Sequence, residues 1–252
     1  MDANHIADAA TLLAGARQSG SRIAAFPARL SPQTVREAHA IQDAVSATLG
    51  WPVAAYKANA PSPSSEGVRG VIYASLVHGS PVFFPVDAAP QCGVEGEVAF
   101  RLRHDLPPRA APYSREEVAA AVDACVALEV VSSRFADAET ATKFDKLADG
   151  ISNGGLVVGT VREDWRDVDL ARIKVRLIVN GEIVVDKAGG HPNDDPLLVA
   201  TALVDMMRGH GGLKAGQVIT CGSYTGLRYF QPGDTCRVVF EGLGEAELTF
   251  KP

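Results

Sequence analysis

The chain lacks an excess of basic residues. Its 24 Lys and Arg face 30 Asp and Glu, a net charge of −6, so the basic face that a nucleic-acid footprint requires is missing. No stretch of about 18 apolar residues is present, and no membrane span is expected. Met1 to Gly15 carries Asp2, His5 and Asp8 but no basic segment ahead of an apolar one, a pattern unlike a signal peptide. Cysteine is scarce. The four residues, Cys92, Cys125, Cys221 and Cys236, form no C-x-x-C pair. Cys125, Cys221 and Cys236 lie in or beside apolar runs, as buried free thiols of a reducing compartment do. The cytoplasm is the expected location.

What remains is ordinary globular composition, 46% hydrophobic and 21% charged over 252 residues. That length suits one large domain or two small ones, with a core that needs no disulfides. The reading is a single domain over 1–252, helical over 1–50 and β-rich over 51–252. Ile6 to Arg17 has apolar residues at helical spacing. Ser31-Pro32 resembles an N-cap followed by proline at the first helical position, and Gly50 closes that helix. Val53 to Lys57 reads as a strand, residues 60–70 as a Pro/Ser/Gly loop, and Pro81 to Val86 and Gly93 to Leu102 as strands. A capping box at Ser114 to Glu117 predicts a helix through Val118, Val122 and Cys125, running into a strand over Val126 to Val131. Asn180-Gly181 predicts a hairpin. Asp195-Pro196 opens a helix from Leu197 to Met207. Gln217 to Thr220, Thr235 to Phe240 and Glu245 to Phe250 complete the strands. Early helices and late strands predict an α+β fold.

Glu95-Gly96-Glu97 lies in a strand, so both carboxylates share a face. Like charges that close repel unless neutralised. Glu129 sits in the apolar run Ala127-Leu128-Glu129-Val130-Val131, where a carboxylate is costly unless paired or bound to metal. Three such carboxylates suit a hard divalent cation. The pattern alone also admits a solvated Glu95/Glu97 face with Glu129 paired to Arg134. Lys57, at a strand end, suits a substrate carboxylate or a proton shuttle, or is a surface lysine. Asp149 to Gly155 is a Gly-rich loop that could present N–H groups to an anion, or a plain turn. His191-Pro-Asn-Asp-Asp195 reads as loop plus N-cap, and His210 as part of a helix C-terminus. Gly242-x-Gly244 opens no helix and is no dinucleotide fingerprint.

Together these segments resemble the 2-keto-4-pentenoate hydratase group of the fumarylacetoacetate-hydrolase-like superfamily. Ala38-His39-Ala40-Ile41-Gln42 resembles the A-Y-x-I-Q helix motif. Gly93 to Phe100 and Ala127 to Arg134 resemble the metal-binding segments, and Leu147 to Gly155 resembles the A-D-N-x-S-x-G-G loop. Leu213 to Gly216, Thr220 to Ser223 and Pro232 to Asp234 resemble the C-terminal signature. The resemblance implies helices ahead of a twisted mixed β-sheet sandwich or roll. It implies that Glu95, Glu97 and Glu129 hold Mg²⁺ or Mn²⁺, and that Lys57 and Ser152 are catalytic. Asp149, Asn153 and Ser223 would bind substrate. The implied reaction is hydration of a 2-hydroxyalka-2,4-dienoate in aromatic-compound catabolism. A homo-oligomer is implied, with a complex with a pathway neighbour left open. The surround of Lys57 (Ala55-Tyr56-Lys57-Ala58-Asn59), Gly150 in place of the motif asparagine, and the absence of an acid in Gly70 to Leu76 depart from the family pattern. They keep open a 4-oxalocrotonate-type decarboxylase and a non-catalytic accessory homologue.

Overall fold

Two helices open the chain in this computed structural model, which describes residues 1–62 and 66–251. Helix α1 (Ala3–Ser19) is capped by Asp2, which accepts from the His5 N–H, and closed by Gly20 at φ 70°. Helix α2 (Val35–Leu49) is capped by Thr34 and closed by Gly50 at φ 63°. The expected cap at Ser31-Pro32 is therefore displaced. Ser31 Oγ instead donates to Asp145 Oδ1 at 2.7 Å. Ala9, Leu13, Ala38, Ile41 and Val45 pack with Phe26, Phe135 and Leu147 in a core of their own.

The strands follow: β1 (Val53–Asn59), β2 (Val68–Tyr73), β3 (Val77–Gly79), β4 (Val82–Pro85) and β5 (Gly93–Leu102). Part of the expected loop over 60–70 is thus strand, from Val68 on, and 63–65 lie outside the described residues. Helix α3 (Arg115–Ala121) has the expected capping box at Ser114 and Glu117. It ends well before Cys125, because Val122 already has strand geometry (φ −128°, ψ 151°) and opens β6 (Val122–Val131). The β-branched and apolar run favours a strand buried on both faces over further helix. Next come α4 (Lys143–Ala148), β7 (Asn153–Arg162), β8 (Lys174–Val179), β9 (Glu182–Ala188), α5 (Pro196–Met207), β10 (Val218–Ser223), β11 (Arg228–Tyr229), β12 (Thr235–Phe240) and β13 (Gly244–Lys251). The β8–β9 turn has φ 51° at Asn180 and 89° at Gly181, which asparagine and glycine tolerate best.

The larger sheet runs β2-β1-β10-β5-β6-β7-β3, with β11 also on β5. The smaller runs β4-β13-β12-β8-β9. Pairs β1–β10, β3–β7 and β4–β13 are parallel and the rest antiparallel, so both sheets are mixed and the fold is α+β. The larger sheet curls into a half-barrel that brings β2 against the chain entering β7. A Cβ at Gly70 would lie 2.6 Å from the Gly150 carbonyl oxygen. On one face of it Val98, Phe100, Val126 and Leu128 pack with Phe84, Val238, Leu248 and Phe250 of the smaller sheet. Each such fully buried side chain contributes about 1.5–3 kcal/mol of transfer free energy. The opposite face carries smaller groups, among them Ala55, Ala99, Cys125 and Ala127, and there the glutamates lie. Gly96 makes this two-sided arrangement possible: a Cβ there would sit 2.7 Å from Val238 Cγ2. All four cysteines are buried and unbridged. No helix among the described residues is long and apolar enough to cross a membrane.

Candidate metal centre

Strand register builds the site. Glu95 on β5 stands opposite Glu129 on antiparallel β6, and Glu97 follows two residues on, on the same face. On the other side of β5, β10 places Ser223 opposite Glu97, and β1 pairs Lys57 with Thr220. Four neighbouring strands thus converge on one spot. One carboxylate oxygen from each glutamate lies within 4.8 Å of the others.

Lys57 Nζ donates to Glu129 Oε1 at 2.8 Å and lies 3.8 Å from Glu95 Oε2. Asn153 Nδ2 also donates to Glu129 Oε1, at 3.3 Å. Glu97 Oε2 accepts from Thr220 Oγ1 and from the Gly222 N–H. Glu97 Oε1 and Glu129 Oε2 are buried without a hydrogen-bond partner among the described residues. Buried anionic oxygens left so are costly, and one lysine leaves the three carboxylates under-neutralised. A divalent cation with oxygen ligands fits both the charge and the donor set. The solvated alternative fails on burial, since Glu97 is 1% exposed and Glu129 0%. Arg134 pairs with Asp149 instead of Glu129.

Burial pushes the Glu97 carboxyl well above the usual range, with the charges of Glu129 and Glu95 adding to it. Burial also raises Glu129, against the opposing effect of Lys57. At Lys57 burial works against the charge, but Glu129, Glu95 and Glu97 outweigh it and raise its pKa. Raised carboxylates hold protons in the folded state that the unfolded chain has released. The contribution of Glu97 and Glu129 to the stability of the metal-free protein is therefore fully present below about pH 4.5, the unfolded glutamate value, and is lost as pH rises through their raised folded values. Metal binding displaces those protons, so affinity rises with pH over the same window. Thermal melts across pH, with Mg²⁺ and with chelator, check this. Metal at about 100 times its Kd adds ~2.7 kcal/mol, about 5–10 °C in Tm for a chain of this size.

The other expected residues divide. Asn153 joins the cluster. Ser152 lies in the adjoining loop, where its carbonyl accepts from the Ser132 N–H at 2.8 Å. Its neighbour Ile151 places a carbonyl 3.5 Å from Lys57 Nζ. Ser223 Oγ accepts from the Gly226 N–H at 2.9 Å. Asp149 is not in the cluster. Its carboxylate is fully buried between Arg134 Nε at 2.5 Å and Arg17 at 3.4 Å, and anchors the loop. His191 Nε2 bonds the Cys221 carbonyl, and Asp195 caps α5, so that segment is structural.

Two buried polar residues, Thr220 and Gln42, lay in motifs that the sequence reading noted but received no individual role there. Thr220, buried in an apolar strand, orients Glu97. Thr220→Val should weaken metal binding about 10–100-fold, the cost of losing an outer partner of a metal ligand, as metal titration calorimetry will read. Gln42, buried on the apolar face of α2, donates to the Arg69 and Leu147 carbonyls and accepts from Val71 N–H. It ties α2 to β2 and to α4. The signal for both was a polar residue inside an apolar stripe.

The family model described as fumarylacetoacetate hydrolase C-terminal matches residues 53–251. The chain belongs to this family. The match begins at β1 and contains Lys57, all three glutamates and Thr220, while α1 and α2 lie outside it. Among relatives, the 2-keto-4-pentenoate hydratase of Burkholderia vietnamiensis is 30% identical over 99% of this chain and 98% of its own. A 4-oxalocrotonate decarboxylase of Pseudomonas putida is 33% identical over 53% of this chain and 51% of its own. The structure of 4-oxalocrotonate decarboxylase from Pseudomonas putida G7, complexed with magnesium and adipate, has TM-score 0.81. It is 18% identical and covers 99% of this chain and 98% of that one, so this family member shares that fold through its N-terminal helices too.

Proposed function

We propose that this chain is a divalent-metal-dependent hydratase of aromatic-compound catabolism in the cytoplasm. It adds water to a 2-hydroxyalka-2,4-dienoate of the 2-keto-4-pentenoate type and gives a 4-hydroxy-2-oxo acid. The observation that carries this reading is the convergence of Glu95, Glu97 and Glu129, two with unpartnered buried oxygens, beside a buried lysine. The nearly full-length hydratase relative supplies the reaction class.

Glu95, Glu97 and Glu129 would hold Mg²⁺ or Mn²⁺. When bound, the cation supplies a Lewis acid for the carboxylate and 2-oxygen of the acid. Ketonisation of the dienol takes the proton from its 2-hydroxyl and delivers one to the terminal carbon. Water then adds its oxygen at the β carbon of the enone and its proton at the α carbon. Lys57 is the group assigned to carry these protons: its Nζ lies against the cluster, held by Glu129 and the Ile151 carbonyl. Burial acts to lower the Lys57 pKa and the three glutamate charges act to raise it, so offsetting those charges would draw it down from its raised value. Asn153 keeps Glu129 oriented, and Ser152 and Ser223 stand at the loop and turn flanking the cluster, within the substrate's surroundings. We further infer a homo-oligomer, supported by exposed Phe83, Ile183 and Tyr229.

An ultraviolet assay on freshly generated 2-hydroxypenta-2,4-dienoate tests the reading. Metal-dependent loss of dienol absorbance with 4-hydroxy-2-oxopentanoate as product is expected. Release of CO₂ from a 2-oxo-3-enedioate, without hydration, would replace it with the decarboxylase activity that the second relative's name carries. Metal binding without either turnover would make the chain an accessory homologue.

A further inference from the structure

A cavity of about 260 Å³ lies outside the carboxylate cluster, lined by Arg17, Arg22, Arg134, Ser132, Trp51 and Leu76, with exposed Asp87 also on it. Neither Lys57 nor any of the three glutamates lines it. Alternation along the chain leaving β6 turns Ser132 away from the side of Glu129. The irregularity after Val130 sends Asn153 toward Glu129 and leaves Gly154 against the Ser132 Cβ. The cavity and the glutamate cluster thus share no lining residue.

Positive charge in the cavity is under-compensated. Asp149 serves both Arg134 and Arg17. Burial, and after it the charge of Arg134, hold the Arg17 pKa down at about 10. Arg22 has no carboxylate within ion-pair distance among the described residues. Its guanidinium donates to Ser132 Oγ at 2.9 Å, one of the five N–H donors such a group carries. Ser132, accepting from Arg22, keeps its own hydroxyl proton to give. Trp51 and Leu76 supply apolar wall, and Asp87 disfavours a doubly charged anion.

We propose that this cavity is a second ligand site, for the carboxylate of a small organic acid with an apolar stem, separate from the glutamate cluster. Arg22 and Ser132 take the carboxylate, Arg17 adds charge, and Trp51 and Leu76 cover the stem.

Butyrate is the probe, titrated calorimetrically into the full-length protein with chelator and with excess Mg²⁺. Saturable binding is expected in both, since neither the metal nor its ligands take part. Arg22→Met should weaken it about tenfold or more, the scale of one lost charge-assisted hydrogen bond, with Arg22→Lys between the two. The metal-induced rise in Tm should be unchanged in both variants. Butyrate binding that needs Mg²⁺ and ignores Arg22→Met would place the acid at the glutamates and overturn the proposal. Absence of saturable binding would overturn it too, and so would inorganic phosphate binding more tightly than butyrate. The titration reads binding without turnover, so its outcome is independent of the hydratase reading.

Discussion

Glu129→Gln should abolish metal binding while leaving the metal-free protein as stable as the parent or more so. The two effects separate because Glu129 is fully buried and its ionised form is disfavoured there by burial. A neutral amide of the same shape removes that penalty. It can still accept from Lys57 and Asn153, and Lys57 retains Glu95 at 3.8 Å. Metal affinity loses a ligand with its charge, and the loss should exceed the roughly 10–100-fold cost of removing an outer partner. Thermal melts with and without Mg²⁺ read both effects together. The variant should melt at or above the parent in chelator and show no metal-induced rise. A variant that unfolds in chelator, or keeps the parental metal response, would refute the assignment of Glu129.

Lys57→Met should do the opposite, lowering kcat about 10²–10⁴-fold, the range for loss of a positioned acid–base group, with metal affinity held or improved. The ammonium lies 2.8 Å from one glutamate and 3.8 Å from another, so it competes with a cation for the same negative charge. Removing it relieves repulsion at the metal while taking away the proton carrier. Calorimetry for the metal and steady-state kinetics for turnover measure the split. Methionine matches the length and apolar stem of lysine, so the packing of β1 against β10 should survive. A parental kcat would show that Lys57 does not move a proton, and a lost metal site would show that its role is to orient the glutamates.

The E-x-E pair was legible because strand periodicity alone puts alternate residues on one face, and Glu129 because a carboxylate in an apolar run has few explanations. Asn180-Gly181 and the Ser114 box were legible for similar local reasons: turn and cap geometry depends on a few adjacent residues. The end of α3 was not. Alanine favours helix and valine favours strand, so the mixed run around 121 and 122 does not mark the boundary, and pairing with β5 and β7 decides it. The partners of Asp149 were not legible, although its motif position suggested a substrate contact. Its partners, Arg17 and Arg134, come from distant or separately folded segments. Gly150, Ile151 and Ser152 hold φ of 70°, 58° and 55° in succession. Two of these are not glycine, and such strain persists only where surrounding contacts enforce it.

Local periodicity and the cost of burying charge therefore marked, from the chain alone, most of the longer strands and the three carboxylates as candidates, while β2, β3 and β11 were not legible and only the family resemblance joined the carboxylates into one site. The tertiary structure decided which of those carboxylates keep free oxygens, that Lys57 and Thr220 reach them, and that Asp149 turns away to the arginines. Those outcomes depend on register between strands far apart in the chain. A one-residue shift in pairing would turn every such side chain to the opposite face, and only the folded sheet records which register was taken.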